Sequence, residues 1–123
     1  MRFVPLLHCT DMCETVEFYT SVLGFELCRG STVDDAVVDL RRGDAALQLC
    51  TFDGRPQIAV NVIVDDADAL WAELSGRGYV PPDRPESPVH QGPIDQTWGS
   101  REFYIDDPAG NTLRFRSWPN RSG

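Results

Sequence analysis

The sequence predicts an α+β fold built from two βαβββ modules within one domain spanning residues 1–123. Three observations carry this expectation. The order strand, capped helix, further strands occurs twice along the chain. Each helix start carries aspartate, the residue type whose side chain satisfies free amides at a helix N-terminus. Finally, Trp98 to Asn111 reads as a strand running into a tight turn, because Pro108 presets one turn torsion and Gly110 accepts a positive φ. Helices against one face of mostly antiparallel strands make the class α+β. A chain of 123 residues buries roughly two thirds of its unfolded surface, enough for one core without disulfides or metal.

Module one is expected over 1–53. Arg2 to Cys9 alternates as a strand, and Asp11 with Glu14 opens a helix carrying Val16, Tyr19 and Leu23 at helical spacing, stopped at Gly24. Strands follow at Phe25 to Arg29, Val33 to Arg41 and Ala45 to Phe52, the last two joined through Arg42-Gly43-Asp44. Asp53-Gly54-Arg55-Pro56 is the joint. Module two, 57–118, begins with an alternating strand from Gln57 to Val64. Asp65-Asp66 then starts a helix with Leu70, Trp71 and Leu74 on one face, closed by Gly76 to Gly78. This spacing assigns Trp71 to the core. Pro81 to Pro93 holds five prolines and reads as an irregular flap, with His90 on its surface. Arg101 to Ile105 and Thr112 to Trp118 form the closing hairpin, and Trp118 is expected to pack near the end of the chain.

The period of two assigns faces. Leu7 and Cys9 should face the helix, with Val4, Leu6 and His8 opposite. Val60, Val62 and Val64 should likewise face the helix, with Ala59, Asn61 and Ile63 opposite.

A net charge of −8, from 11 basic and 19 acidic residues, opposes the attraction that nucleic acid or an anionic membrane needs, so neither is an expected partner. An acidic surface concentrates cationic small molecules, although solubility alone accounts for such a balance. The four cysteines lack paired zinc-ribbon spacing, and three fall in apolar strand patterns, the place of buried thiols. With no signal peptide and no apolar run near 18 residues, the expected location is a reducing cytoplasm.

Three stretches resemble a known family: Asp11 to Phe25 with Val16-Glu17-Phe18-Tyr19 and Val22-Leu23-Gly24-Phe25, then Asp68-Ala69-Leu70-Trp71-Ala72-Glu73, and the closing hairpin Trp98 to Asn111. Together they resemble the glyoxalase, bleomycin-resistance and extradiol-dioxygenase superfamily, nearest its bleomycin-resistance branch. The resemblance implies a curved mixed sheet with a concave cup opposite the outer helices. For metal-dependent members it also implies two histidines and two oxygen ligands, at positions matching Val4, Ala59, Gln48 and Arg114. Valine and alanine cannot coordinate, and arginine brings a permanent cation, which leaves Gln48 alone as an oxygen donor. The expected cofactor and metal content is therefore none.

The candidate ligand-binding residues are His8, Gln48, Asn61, Trp98, Tyr104 and Arg114. His8, on the cup-facing side of its strand, can act as acid, base or ligand contact, or be hydrogen-bonded structure. Gln48, Asn61 and Arg114 form a polar floor for carbonyl, carboxylate or phosphate groups, unless Arg114 is taken up by Asp39 or Glu102. Trp98 offers a platform for a planar ligand, or anchors the hairpin or a dimer interface. By resemblance to bleomycin-binding members, which are acidic homodimers with aromatic clefts at the subunit interface, the expected function is metal-free sequestration of an antibiotic or other natural product, planar or cationic. Asn61 and Ile63 replace a tryptophan-rich surface of those members, and the strand from Val33 has no aromatic, so a ligand smaller than or different from bleomycin is expected. The alternative is a glyoxalase-like lyase, isomerase or dioxygenase with a non-standard site using His8 and Gln48. A metal-independent enzyme in which His8 works against an oxyanion held by Arg114 is a third reading.

Overall fold

A computed structural model describes residues 1–52 and 56–118; the expected joint at Asp53 to Arg55, and Pro119 onward, lie outside them. The architecture is α+β, with two βαβββ-like modules, two mixed four-stranded sheets and two α-helices. Cα packing divides the chain into two compact units: Met1–Ile58 with Asp106–Asn111, and Ala59–Ile105 with the chain from Thr112 on.

In unit one, β1 (Leu6–His8) is followed by α1 (Met12–Glu17), β2 (Glu26–Leu27), β3 (Val37–Arg42) and β4 (Ala45–Cys50). Sheet order is β1-β4-β3-β2, with β1 parallel to β4 and the other pairs antiparallel. Asp11 caps α1 as expected, its carboxylate accepting from the Glu14 amide at 3.0 Å. The helix runs on as a π-helical turn, Phe18–Val22, which carries the fully buried Tyr19. Leu7, Cys9, Val38, Leu40, Leu47 and Leu49 alternate inward on the strands and form the core with Met12, Val16, Tyr19 and Leu23.

Most strands are shorter than the pattern suggests, and for β1, β2 and β3 the local reason is visible. Residues before Leu6 form no ladder, since Pro5 offers β4 a carbonyl but has no N–H. The segment expected to start a strand at Val33 closes on itself instead: the Thr32 amide donates to the Asp35 carboxylate at 2.9 Å, and the Asp35 amide to Thr32 O at 3.0 Å. Such side chains divert backbone from sheet pairing. Phe25 spends its amide on Tyr19 O, so β2 keeps two residues.

The closing turn belongs to unit one. Asp107 Oδ1 accepts from the amides of Ala109 and Asn111, both at 2.9 Å, while Asp107 Oδ2 accepts from the Tyr19 hydroxyl at 2.9 Å and from Asn111 Nδ2 at 3.1 Å. Asn111 Nδ2 also donates to His8 O at 3.0 Å. Gly110 sits at φ +89°, a left-handed conformation that favours glycine; a Cβ there would stand 2.6 Å from Gln57 Nε2, the end of a flexible side chain that would have to shift.

In unit two, β5 (Ala59–Ile63) leads to α2 (Ala67–Gly76), capped by Asp66, and then to β6 (Ile94–Asp95), β7 (Arg101–Asp106) and β8 (Thr112–Ser117). Sheet order is β5-β8-β7-β6, with β5 parallel to β8. The two-residue β6 lies just after the proline-rich flap, where the sequence reading assigns no strand. Phe103, Ile105, Leu113 and Phe115 are buried on the α2 side, where Trp71 meets Phe103 edge-on at 5.0 Å and Phe103 stacks on Phe115 at 5.0 Å. Trp71 packs against the core as its helical spacing predicts but stays partly exposed rather than buried within it. Among the described residues no helix is long and apolar enough to cross a membrane, and Cys9, Cys13, Cys28 and Cys50 are all free.

Candidate functional site

Alternation along β7 sends Phe103 and Ile105 toward α2 and sends Glu102 and Tyr104 to the other face. Glu102 is the centre of that second face. Its side chain is fully buried, yet it is ringed by donors. Oε2 accepts from the Trp98 indole at 2.8 Å, from the Ser100 hydroxyl and from Arg116 Nε at 3.1 Å. Oε1 accepts from the Tyr104 hydroxyl at 3.3 Å and lies 3.8 Å from Arg114 Nη2. Burial alone would raise the carboxyl's pKa, but the hydrogen bonds of Ser100 and Trp98, with the charge and hydrogen bond of Arg116, hold it below the usual carboxylate range. Glu102 is therefore a charged group inside the fold.

Its partners come from a tight turn and two strands. The Gln96 amide donates to Ser100 O at 2.8 Å and the Gly99 amide to Gln96 O at 3.0 Å, with Gly99 at φ +98°. That left-handed residue lets Trp98 and Ser100 both turn toward the same carboxylate oxygen. The indole N–H is thus pinned while the residue remains 56% exposed, so Trp98 is at once a hairpin anchor and an accessible aromatic surface. Arg114 on β8 lies over the Tyr104 ring at 4.9 Å and pairs with Glu102. Asn61 is its register partner on β5 and is exposed. Arg116 lies over the Trp118 ring at 5.1 Å.

His90, read from the sequence as a surface-loop residue, is instead buried. The 3₁₀ turn Pro88–His90 sets its ring edge-on to Tyr104 at 5.7 Å, with the Ser87 hydroxyl 2.7 Å from Nδ1.

The structure thus brings Asn61, Trp98, Tyr104 and Arg114 onto one face of sheet two. His8 and Gln48 stand in unit one, on one face of sheet one, paired in register with Cys50 and Leu6 respectively. Both are partly exposed. The sequence reading named Glu102 as a partner for Arg114 but missed its central place, as well as Ser100, Arg116 and His90. Part of the signal was present: 98, 100, 102 and 104 share one parity.

The residues that the resemblance matches to metal ligands are, by type, poor partners for a divalent cation. Val4 and Ala59 offer no donor, Gln48 offers one amide oxygen, and Arg114 is cationic. Among the described residues no group of three or more His, Cys, Asp or Glu side chains is arranged to hold a metal ion.

The family model of the Glyoxalase/Bleomycin resistance protein/Dioxygenase superfamily matches residues 4–115. No curated protein matches the chain. Among solved structures, the bleomycin-binding protein from bleomycin-producing Streptomyces verticillus, complexed with copper(II)-bleomycin, is 30% identical, with TM-score 0.70 over 94% of this chain and 93% of that one. The bleomycin resistance determinant encoded on transposon Tn5 is 22% identical, with TM-score 0.77 over 95% and 97%. A lactoylglutathione lyase from Agrobacterium tumefaciens, 20% identical with TM-score 0.65 over 99% and 97%, shares the fold as well. The last two likenesses speak to fold alone. The sequence motifs, the paired βαβββ-like modules and the match over residues 4–115 agree: the chain belongs to the glyoxalase/bleomycin resistance protein/dioxygenase superfamily.

Proposed function

We propose that the protein binds a small planar natural product without metal and without altering it, a sequestering protein of the bleomycin-resistance type. The observation that carries this reading is Trp98, an exposed ring held by its N–H on a buried carboxylate beside Arg114 and Tyr104. An aromatic surface fixed before binding loses little conformational entropy when a ligand stacks on it. The 30% identity to a protein complexed with copper(II)-bleomycin supports the class of ligand. The Asn61 amide beside Arg114 adds a neutral donor and acceptor to the same face.

Calorimetric titration with bleomycin, copper(II)-bleomycin and other planar antibiotics tests it. Saturable binding is expected, with the ligand recovered unchanged by mass spectrometry and with Trp98→Ala weakening affinity about tenfold. Neither heat nor thermal shift across the panel, or chemical conversion of the ligand, would overturn it. In this reading the protein is a homodimer, which gel filtration checks; a monomer would remove a subunit-interface cleft.

His8 and Gln48 on one face of sheet one support a second reading, an enzyme with a non-standard metal site. Elemental analysis of protein purified without chelator separates the two. Stoichiometric metal favours the enzyme, and its absence favours the binding protein.

A further inference from the structure

Glu102 meets two guanidiniums with one negative charge. Arg116 has the short contact, with Nε at 3.1 Å from Oε2, an oxygen that Trp98 and Ser100 also occupy. Arg114 has the long one, Nη2 at 3.8 Å from Oε1, outside hydrogen-bond distance. Arg114 Nε is buried and has no hydrogen-bond partner among the described residues. A buried donor left unmade costs about 1–3 kcal/mol, and structures rarely keep one without reason. The Arg114 side chain as a whole is 32% exposed and rests on Tyr104, so the guanidinium is held in place while part of the side chain faces solvent, although Nε itself is buried.

We propose that Arg114 anchors an anionic oxygen, a carboxylate or enolate, on a planar aromatic ligand whose ring lies against Trp98, with Glu102 as the residue that positions both side chains. The proposal rests on the reading of this face as a ligand site and adds the ligand's charge. A planar guanidinium matches a carboxylate through two parallel N–H donors, which a neutral or cationic group cannot use in the same way. The preference runs against the net charge of −8 for the whole chain, because contacts at hydrogen-bond distance outweigh a field screened within about 8 Å at physiological salt.

Three probes sharing one ring test it by calorimetry: 2-naphthoate, 2-naphthamide and 2-naphthylmethylammonium. Naphthoate is expected to bind about tenfold or more tightly than either of the others. Arg114→Gln should remove most of the naphthoate preference over naphthamide, while Arg114→Lys keeps part of it. Equal or tighter binding of the ammonium, or a naphthoate preference that survives Arg114→Gln, overturns the anchor and leaves the binding reading standing. Failure of all three probes to bind also overturns the anchor, while the binding reading is decided by the antibiotic panel.

Discussion

The closing hairpin carries two buried carboxylates, and they do opposite things. Asp107, 5% exposed, takes four donors in unit one: the Tyr19 hydroxyl, two backbone amides and the Asn111 amide group. All are neutral, and none is left short. Glu102, fully buried in unit two, takes an exposed tryptophan, two hydroxyls and two guanidiniums, and the cluster retains a surplus positive charge and an unpaired Arg114 Nε. A buried carboxylate alone therefore does not mark a site. What separates the two is whether the surrounding donors are used up, since a closed network serves rigidity and an open one can accept a ligand.

The largest expected effect lies on the closed side. Asp107→Ala leaves the Tyr19 hydroxyl and two turn amides without their acceptor, and Asn111 Nδ2 with His8 O alone, and should cost about 4 kcal/mol in urea-induced unfolding. For a chain of 123 residues that lowers the melting temperature by more than about 10 °C. Ligand affinity of the remaining folded protein should be unchanged. A loss below about 1 kcal/mol would mean that the turn holds its shape without Asp107, and the contrast with Glu102 would collapse.

Glu102→Gln should cost less, about 2 kcal/mol, because Arg114 and Arg116 are 32% and 21% exposed and water can take over part of their solvation. Its signature lies elsewhere. The wild-type carboxyl is held below its ordinary value, so its contribution is present above about pH 4.3 and is lost as pH falls through the lower folded value. The glutamine variant should therefore lose stability less steeply in acid than wild type. The Trp98 indole then meets a neutral amide oxygen in place of a carboxylate, and this weaker hold should also weaken any stacked ligand, a change that Asp107→Ala lacks. Equal ligand affinity in wild type and Glu102→Gln would break the link between carboxylate and platform.

Much of the scaffold was legible because short-range chemistry writes it. Asp11 and Asp66 cap the helices from their own sequence neighbourhood, and the strand alternation of Leu7, Cys9, Val60 and Val62 needs no tertiary knowledge. The residues that matter to the face of sheet two were read unevenly. Trp98 and Arg114 stood out by type, whereas the reach of Glu102 depends on the turn at Gly99 and on strand pairing with β8. His90 was misread because its burial comes from a 3₁₀ turn inside a proline-rich stretch that has no period to follow. Thr32 and Asp35 hid the true start of β3 for a related reason: their side chains compete for backbone that the apolar pattern assigns to a strand.

The smallest effect gives the sharpest view of the closed network. Tyr19→Phe removes one donor from Asp107 and leaves the amides of Ala109 and Asn111 and the Asn111 side chain in place, so it should cost about 1 kcal/mol near neutral pH. Burial, and after it the charge of Asp107, pushes the Tyr19 hydroxyl well above the usual tyrosine range. Its folded value exceeds its unfolded one, so its contribution is complete below about pH 10 and drains away as pH rises past that point, where the unfolded chain releases the proton and the folded chain keeps it. Denaturant titrations of wild type and Tyr19→Phe should therefore run parallel from pH 7 to 9 and converge above 10. Convergence is expected because only a hydroxyl sealed against a charged acceptor resists ionisation in this way; parallel lines through pH 11 would place Tyr19 in contact with solvent and open the network that its hydrogen bond to Asp107 closes.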